Sequence, residues 1–360
     1  MMMLLLLLLR LTVLLHAPTE VRAKNTHATA KWPVFWNVDD TQAPPIDVTH
    51  WGFQGRNYTQ VGNGCSNQAS GCENWEQGMF PKILDNGTEV NGGVPQAGSL
   101  HKHLQAIEDT LHLWIPDPEW DGNAVLDFED WTTVWELNNN SGWWHSIRYQ
   151  QKSKEIVRAK HPTWSEEEVT DEAKREFEFW ANEFFVRTLE TCKRLRPRAR
   201  WGFYGLPVSF MGYCSGSVED LNCSYDGPLG DTYREYANRQ SKVWDVSDAL
   251  FPSIYIPTNS TDPKGLSFIA ATVRESMRLA SAAIGQTDVL PYAWHYYHDG
   301  IHILTSALMH ASLQMPCKHG ANGVVMWGSA RQIEDPNYWR YFTSAEGAGT
   351  FTRTFDSHSC

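Results

Sequence analysis

Two carboxylates, two residues apart, follow a short apolar run in the first half of the chain. Asp127 and Glu129 flank Phe128 at the end of the run 124–128, and Trp131 follows. If the run is a buried strand, residues i and i+2 point to the same face, so both carboxyl groups share apolar surroundings. Burial and like charge then raise one pKa, which gives a proton donor beside an ionised partner. The spacing indicates general acid–base chemistry, although a pair of acids that caps the next helix is the more frequent meaning of this triplet.

The segments around this pair resemble the hyaluronidases, glycoside hydrolase family 56, and within them the venom hyaluronidases most closely. Residues 127–131 read D-F-E-D-W, which matches the family segment D-F-E-x-W. Seven other short segments follow in the family's order, at 33–38, 78–81, 91–96, 201–204, 252–255, 289–292 and 323–329. The resemblance extends from about residue 32 to about residue 342. It implies a secreted endo-β-N-acetylhexosaminidase that hydrolyses hyaluronan, and chondroitin more slowly.

The resemblance also implies a mechanism and a set of site residues. Glu129 is the expected general acid and base, and Asp127 is expected to hold the N–H of the substrate's acetamido group. The reaction is retaining and substrate-assisted, because the acetamido oxygen attacks C1 in place of a carboxylate nucleophile. Substrate contacts are implied for Tyr204, Tyr255, Trp327, Ser329, Trp75 and Glu76. The family uses no cofactor and no metal ion for this chemistry.

Two threonines stand where the family usually has arginine. Thr132 directly follows the tryptophan of the D-F-E-x-W segment, and Thr272 precedes Val273-Arg274-Glu275. Loss of two cations near an acidic pair raises carboxylate pKa values and loosens the orientation of the carboxylates. The alternative hypothesis is therefore a hyaluronidase homologue that binds glycan with weak or no turnover.

The acidic pair needs a scaffold, and the chain alternates strand-like with helix-like segments. Candidate strands are 33–38, 124–128, 201–204, 250–256, 288–294 and 323–327, and candidate helices are 98–112, 165–195 and 265–283. This alternation predicts an α/β fold with a parallel sheet, and the chain length favours closure into a barrel. The resemblance implies a distorted (β/α) TIM-like barrel in a single domain. The second strand is the weak point, because residues 66–77 are polar where the family has an apolar strand.

A barrel of this kind carries its active site at the C-terminal ends of the strands. Asp127, Glu129, Tyr204, Tyr255 and Trp327 all come at or just after the ends of candidate strands. Core packing is the ordinary role of any one of these aromatic residues. Their shared position at strand ends favours a common site instead.

The first 23 residues read as a signal peptide. Residues 4–15 are apolar apart from Arg10, which is too short for a membrane span, and Val21-Arg22-Ala23 fits the small-residue rule for cleavage. Residues 24–360 are then the hyaluronidase-like catalytic barrel, without the EGF-like C-terminal module of some family members. Sequons place N-linked glycans of the secreted protein at Asn57, Asn86, Asn139, Asn222 and Asn259.

Seven cysteines suit the oxidising compartment that secretion implies. The resemblance pairs Cys214 with Cys223, because the family carries a disulfide in the corresponding loop. Cys65 and Cys72 enclose a short polar loop and are a second candidate pair. An odd count leaves at least one thiol unpaired or in an intermolecular bond, and the terminal Cys360 is the candidate.

Two other clusters have competing interpretations. The first cluster consists of His295, His298, Asp299 and His302, whose spacing could suit a metal ion. Because these residues follow strand 288–294, a loop at the rim of the substrate groove is the favoured interpretation. The second is basic and could suggest a polyanion site, but it lies between a helix end and a strand start; it consists of Lys193, Arg194, Arg196, Arg198 and Arg200. Cations are expected at the C-terminus of a helix, which places this cluster on the opposite face of the barrel.

Net charge limits the choice of partner. The formal charge is −12 at pH 7 and the pI is about 5.6, a balance that does not suggest nucleic-acid binding. We expect a monomer that acts on hyaluronan or chondroitin and has no membrane-spanning segment. Because these substrates are polyanions, repulsion at neutral pH predicts a mildly acidic optimum.

Overall fold

The computed structural model describes most of the chain after residue 31. It covers residues 32–38, 48–51, 53–54, 59–63, 78–142, 144–208, 225–258 and 260–329, and then 332, 335–344, 347, 352 and 355. Residues 32–360 belong to one compact unit. Several predicted features lie outside the described residues: the signal peptide, the segment 66–77, Trp75, Glu76, Cys65, Cys72, Cys214, Cys223, Cys360, Asn57, Asn222 and Asn259.

Short strands alternate with longer helices along the chain. The described residues form the strands β1 (Val34–Val38), β2 (Thr59–Asn63), β3 (Lys82–Ile83), β4 (Glu89–Val90), β5 (Asn123–Asp127), β6 (Arg200–Phe203), β7 (Ala249–Leu250), β8 (Asp288–Val289), β9 (Tyr292–Trp294) and β10 (Val324–Gly328). They also form the helices α1 (Leu100–Trp114), α2 (Arg148–Lys160), α3 (Glu166–Leu195), α4 (Pro228–Arg239), α5 (Ser241–Val246), α6 (Asp262–Ala282), α7 (Ser306–Lys318) and α8 (Pro336–Thr343). The predicted α/β class is confirmed.

Apart from the hairpin of β3 and β4, the strands pair in parallel. Two three-stranded groups have the orders β2-β5-β6 and β1-β10-β9, and β7 pairs with β8. Single bridges join the groups, from Tyr204 to Phe251 and from Ser253 to Tyr292. The parallel strands therefore follow one another in the order in which they occur in the chain, and β10 then pairs with β1. This order brings the carboxyl ends of β5, β6, β9 and β10 to the same edge.

Alternation along β5 decides which way its side chains point. Val125 packs into a cluster with residues of β1, β7, β9 and β10, whereas Ala124 and Leu126 pack into a second cluster with α1 and α3. Because successive side chains of a strand point to opposite faces, Asp127 lies on the same face as Val125. The strand thus directs Asp127 away from the helices and toward the other parallel strands.

The longest helix, α3, starts where the sequence predicts and packs one face against the strands. Ser165 and Glu168 form a capping box, with reciprocal bonds of 3.2 Å and 2.8 Å between backbone N–H groups and side-chain oxygens. The buried face includes Val169, Ala173, Phe177, Ala181 and Phe184. Trp180 lies beside this face and is 37% exposed, because Ala181 takes the inward position.

Two predicted strands are shorter in the structure, and proline is the reason. The predicted strand 288–294 is divided into β8 and β9 at Pro291, and the predicted strand 250–256 ends as β7 before Pro252. Proline has no N–H to donate to a ladder. Both proline carbonyls still accept, from Val325 N–H at 2.9 Å and from Tyr292 N–H at 2.8 Å, so the chain continues along the sheet through these breaks.

The basic cluster before β6 is paired within the protein, and its partners lie at the N-terminal ends of strands or near them. The closest contacts join Lys193 to Asp248, Arg194 to Glu108, Arg196 to the Ile115 carbonyl, Arg198 to Glu119 and Arg200 to Asp288. The interpretation as a structural cluster on the opposite face from Asp127 is confirmed.

No helix within the described ranges is both long and apolar enough to cross a bilayer.

Candidate active site

The acidic pair lies at the carboxyl end of β5, in a segment held by backbone hydrogen bonds. Glu129 O accepts from His145 N–H at 3.3 Å, and Asp130 O accepts from Ser146 N–H at 3.4 Å. Both Asp127 and Glu129 keep part of their side chains exposed while protein surrounds the rest. The two carboxylates are therefore accessible to a substrate and poorly hydrated at the same time.

Burial raises the pKa values of both carboxyl groups, and the charge of Asp127 adds to the shift of Glu129. Burial raises the pKa of Asp127 to about 6. The pKa of Glu129 is raised to about 8, first by burial and then by the charges of Asp127 and Asp130. Near neutral pH the pair therefore offers a protonated Glu129 beside an ionised Asp127, the state that a proton donor with a charged helper needs.

Trp144 contacts the candidate acid, a contact that no local pattern of residues indicates. Its indole N–H donates a hydrogen bond to the Glu129 carboxylate and lowers the pKa of Glu129, which partly offsets the burial. The indole stacks on His145 with 4.1 Å between ring centroids. His145 is buried, which lowers its pKa to about 3 and keeps it neutral. The turn around residue 144 thus places one donor on Glu129 without adding charge.

Replacing Trp144 with phenylalanine is expected to move the alkaline limb of the activity profile to higher pH. The indole N–H stabilises the ionised form of Glu129. Its loss therefore raises the pKa of Glu129 and keeps the acid protonated up to a higher pH. We expect the maximal turnover to fall by roughly tenfold or less, the worth of one ordinary hydrogen bond. The pH dependence of kcat/KM measures the shift; an alkaline limb that stays in place or moves to lower pH would contradict this role.

Three tyrosines gather beside the acidic pair from neighbouring strands. Ring centroids of Tyr204 lie 6.1 Å from Tyr255 and 5.1 Å from Tyr292. The hydroxyls of Ser253 and Tyr255 donate to the Tyr204 oxygen. Burial raises the pKa of Tyr204, and the charge of Glu129 raises it further, so the phenol stays protonated beside the acid. The structure therefore brings the predicted Tyr204 and Tyr255 together with Glu129.

Tyr292 also belongs to this group, although the sequence alone did not indicate it as a site residue. Its hydroxyl donates to Asn37 Oδ1 on β1 at 3.0 Å. Burial raises its pKa, and the nearby charge of Asp127 adds to the shift. Its backbone bridges Ser253 from the adjacent strand. Only the parallel pairing of strands distant in sequence brings Asn37, Tyr292 and Asp127 together.

An aromatic wall stands beside Tyr255. Trp327 on β10 packs edge to face on Trp294 of β9, with 4.7 Å between ring centroids and an interplanar angle of 73°. Tyr255 lies 5.7 Å from Trp327 and 5.5 Å from Trp294. Trp327 is partly exposed, whereas Trp294 is almost buried. The predicted Trp327 is thus part of the same cluster, while Ser329 follows it and donates its N–H to Gln332 Oε1 at 3.3 Å.

The two threonines at family arginine positions are buried. Thr132 is 1% exposed in a turn closed by Asn138, which bonds both the N–H and the carbonyl of Thr132 at 2.9 Å. Thr272 is 2% exposed on the inner side of α6. Neither hydroxyl has a hydrogen-bond partner among the described residues. The two sites are therefore tightly enclosed small-residue positions.

Thr132→Arg is expected to destabilise the protein without raising its turnover. The larger side chain must displace packed neighbours or bury a charge, at a cost on the order of 3 kcal/mol. Thermal unfolding should show a lower midpoint for this variant and for Thr272→Arg. A folded Thr132→Arg variant with higher hyaluronan turnover than the wild type would show instead that the missing arginine limits this protein.

The histidine cluster after β9 does not converge. His295 is buried and bonds the Tyr338 hydroxyl through Nδ1 at 2.9 Å, whereas the exposed His302 pairs with Asp299 at 2.8 Å. Among the described residues no group of three or more His, Cys, Asp and Glu is placed to hold a metal ion. The His298 ring lies 6.1 Å from Tyr255, which fits the predicted position at the rim.

The described cysteines modify the sequence-based assignment. Cys192, on α3, is a free thiol and is completely buried. Cys317 is disulfide-bonded, and its partner lies outside the described residues. Among the described cysteines the free thiol is therefore Cys192, on the packed side of α3. Cys360, the candidate from the sequence, lies outside the described residues and stays a prediction.

Comparison with known proteins agrees with this geometry. The sequence model of the hyaluronidase family, glycoside hydrolase family 56, matches residues 72–340. Hyaluronidase of Apis mellifera is 36% identical over 269 residues, which is 72% of this chain and 66% of that protein. Hyaluronidase of Polistes annularis is 31% identical, over 72% of this chain and 69% of the relative. Hyaluronidase-2 of Ovis aries is 34% identical, over 70% of this chain and about half of the relative, 52%.

Solved structures show the same fold. The crystal structure of bee venom hyaluronidase superposes with a TM-score of 0.75 at 28% identity, and the match covers 90% of this chain and 100% of that one. The structure of the bee enzyme in complex with a hyaluronic acid tetramer gives a TM-score of 0.74 at the same identity. The expected distorted TIM-like barrel is thereby confirmed. The chain belongs to the hyaluronidases, glycoside hydrolase family 56.

Proposed function

We propose that this chain is a secreted endo-β-N-acetylhexosaminidase that hydrolyses hyaluronan, and chondroitin more slowly. The observation that carries the proposal is the acidic pair at the carboxyl end of β5, where protein encloses most of Asp127 and Glu129 and burial raises both pKa values. A protonated acid beside an ionised carboxylate is what cleavage of a glycosidic bond requires. The similarity to bee venom hyaluronidase, whose structure is known with a hyaluronic acid tetramer, supports the choice of substrate.

In the proposed reaction Glu129 first donates its proton to the glycosidic oxygen. As the bond to the leaving sugar breaks, the acetamido oxygen of the substrate attacks C1 and forms a cyclic intermediate. Glu129, now ionised, takes a proton from water, and this water opens the intermediate with net retention. The raised pKa of Glu129 supports the first step, because an acid that ionises easily would not carry the proton at neutral pH.

Asp127 and Tyr204 are proposed to hold the acetamido group. The ionised Asp127 would accept its N–H and stabilise the positive charge that develops as the oxygen attacks. Tyr204 accepts hydrogen bonds from Ser253 and Tyr255, which leaves its own O–H to orient the acetamido group. Donors and charges fixed before the reaction contribute most where charge develops in the transition state. Trp327 is proposed to form the wall against which the sugar ring packs.

The pH profile of hyaluronan cleavage is expected to be bell-shaped. The acid limb should follow the pKa of Asp127, about 6, and the alkaline limb that of Glu129, about 8. The formal charge of −12 repels a polyanion at neutral pH, so low salt should move the optimum toward acid. Measuring kcat/KM across this range at low and high salt checks both effects. A profile that peaks above the pKa of Glu129 and does not respond to salt would contradict the account.

Secretion and glycosylation are part of the same proposal. Of the five sequon asparagines, Asn86 and Asn139 lie among the described residues, and both are exposed. Exposure leaves room for a bulky hydrophilic glycan. Expression with the native first 23 residues, followed by endoglycosidase treatment of the medium, would test secretion and glycan attachment together.

A reducing-end assay on hyaluronan separates the enzyme from a glycan-binding homologue. Release of new reducing ends by the wild type but not by Glu129→Gln supports the enzyme. Binding of hyaluronan oligosaccharides by the wild type, without release of new reducing ends, supports the alternative hypothesis of a glycan-binding homologue. The missing cations at Thr132 and Thr272 favour that alternative.

A further inference from the structure

One glutamine side chain joins three parts of the rim behind the aromatic wall. The Gln332 amide oxygen accepts from Trp294 Nε1–H at 3.0 Å and from Ser329 N–H at 3.3 Å. Its amide nitrogen donates to Gly300 O at 2.9 Å. The same side chain is thus fixed to an indole ring, to the residue after β10, and to the turn around residue 300.

The turn at Gly300 packs directly on the same indole. Gly300 has a φ of +67°, and a Cβ at this position would lie 3.0 Å from Trp294 Cη2. The turn is closed by a bond from Gly300 N–H to Tyr297 O at 2.9 Å. It is tied to the neighbouring strand segment by His298 N–H, which donates to Ile256 O at 2.9 Å. The Trp294 ring therefore has backbone against its edge and Gln332 on its N–H.

Trp294 in turn supports the residue that is proposed to touch the sugar. It is 9% exposed and lies behind the more exposed Trp327, edge to face at 4.7 Å. An edge-to-face contact depends on the angle between the rings, so a rotation of Trp294 changes the surface on which Trp327 rests. Apolar contacts alone leave such a ring free to slide, whereas a hydrogen bond to its N–H selects one orientation.

We propose that Gln332 is a positioning residue that fixes Trp294 and, through it, the sugar-facing wall of Trp327. This inference rests on the proposed function, because it takes Trp327 as the wall of the sugar site. Gln332 itself touches no reacting group; it acts through the indole N–H and through the turn at Gly300.

Because Trp327 is proposed to pack on the bound sugar, loss of the Gln332 contacts should affect one kinetic constant more than the other. A surface that packs on the bound sugar acts on ground state and transition state alike, so loosening it raises KM and leaves kcat nearly unchanged. Loss of Glu129 does the opposite, because its proton transfer occurs only in the reaction step. A purely structural role for Gln332 would reduce the fraction of folded protein, which lowers the apparent kcat at constant KM.

Gln332→Met tests the role with a side chain of similar length that makes none of the three hydrogen bonds. We expect KM for hyaluronan oligosaccharides to rise roughly threefold to tenfold, the ratio given by one or two ordinary hydrogen bonds. Trp294→Phe removes the indole N–H and so breaks the hydrogen bond to Gln332 from its donor side. Because both changes break the same contact, the double variant should show a smaller rise in KM than the product of the single effects.

Gly300→Ala tests the same ring without changing Gln332. Its methyl group would press on Trp294, so KM should rise here as well. Gly87→Ala is the matched control: Gly87 has a φ of +82° and nothing within 4 Å of a Cβ, so it carries the backbone strain without the contact. KM should be unchanged in Gly87→Ala.

The outcomes separate this inference from the function on which it rests. A wild type that cleaves hyaluronan, with an inactive Glu129→Gln and a Gln332→Met of unchanged KM, overturns the positioning role alone. Multiplicative effects in the double variant, or equal KM values in Gly300→Ala and Gly87→Ala, overturn it too. A wild type that neither cleaves nor binds hyaluronan oligosaccharides overturns both proposals.

Discussion

Replacing Glu129 with glutamine is expected to lower hyaluronan turnover by on the order of 10²–10⁴, the usual contribution of a positioned general acid. Glutamine keeps the shape of the side chain and an oxygen that can accept the hydrogen bond from Trp144. It has no acidic proton to donate to the glycosidic oxygen. The affinity for hyaluronan oligosaccharides should be kept, because Tyr204, Tyr255 and Trp327 are unchanged. Initial rates from reducing-end release, together with binding by calorimetry, give the two quantities separately.

The stability of Glu129→Gln provides a check that the variant is folded. The pKa of Glu129 is raised from 4.5 to about 8 in the folded protein. Its contribution to stability is therefore fully present below pH 4.5 and is lost as the pH rises through about 8. Glutamine does not titrate, so the variant should unfold at a higher temperature than the wild type above that pH.

Glu167→Gln is the matched control for the chemical exchange. Glu167 is exposed in the first turn of α3, far along the chain from the acidic pair, and its replacement makes the same glutamate-to-glutamine change away from the site. Its turnover should equal that of the wild type. Equal turnover in Glu129→Gln and Glu167→Gln would end the assignment of Glu129 as the acid.

Asp127→Asn is expected to lower turnover by on the order of 10²–10³, the loss that follows removal of one group that stabilises developing charge. The neutral amide cannot balance the positive charge on the attacking acetamido group. It also removes a charge that raises the pKa of Glu129, so the alkaline limb of the pH profile should move to lower pH. This direction is opposite to the shift expected for Trp144→Phe, and the two variants test one electrostatic account from both sides.

No covalent glycosyl-enzyme should accumulate in Asp127→Asn. In the proposed mechanism the nucleophile belongs to the substrate, so slowing the reaction leaves the protein mass unchanged. Mass spectrometry of the variant during turnover measures this directly. A stable adduct on the residue at position 127 or on Glu129 would assign the nucleophile to the protein and contradict substrate assistance.

Local sequence predicted the acidic pair well because its geometry depends on one strand. Asp127 ends β5 on the face where Val125 packs, and Glu129 follows two residues later, so both carboxyl groups stand at the carboxyl end of this strand. Tyr204 and Tyr255 could be placed near it because they follow the parallel strands β6 and β7, and Trp327 because it lies near the end of β10. For these residues a correct strand order was sufficient.

The residues that the sequence did not reveal act across long separations. Trp144 reaches Glu129 from the loop before α2, and Tyr292 meets Asn37 across 255 positions. Gln332 meets Trp294 across 38 positions. Hydrogen bonds of this kind leave no periodic pattern, because only one atom of each side chain must be in place. Three-dimensional packing alone selects them.

Errors in the elements have local causes. Pro291 and Pro252 shorten the predicted strands, since an apolar run gives no sign that a ladder N–H is missing. Helices α2 and α4 were not predicted, because their sequences are polar and bury few residues each. Thr132 and Thr272 were recognised as departures from the family, but their complete burial, which decides what an arginine would do there, is a property of the packed structure.

The most direct test of the substrate-assisted mechanism follows one short hyaluronan oligosaccharide by proton NMR as the wild-type protein cleaves it. We expect a new N-acetylglucosamine reducing end that appears first as the β-anomer and then equilibrates, because the substrate's acetamido group enforces retention. Glu129→Gln should give no such signal on the same timescale. An α-anomer that appears first would contradict the substrate-assisted mechanism, and the absence of any new reducing end with the wild type would contradict hyaluronan hydrolysis itself.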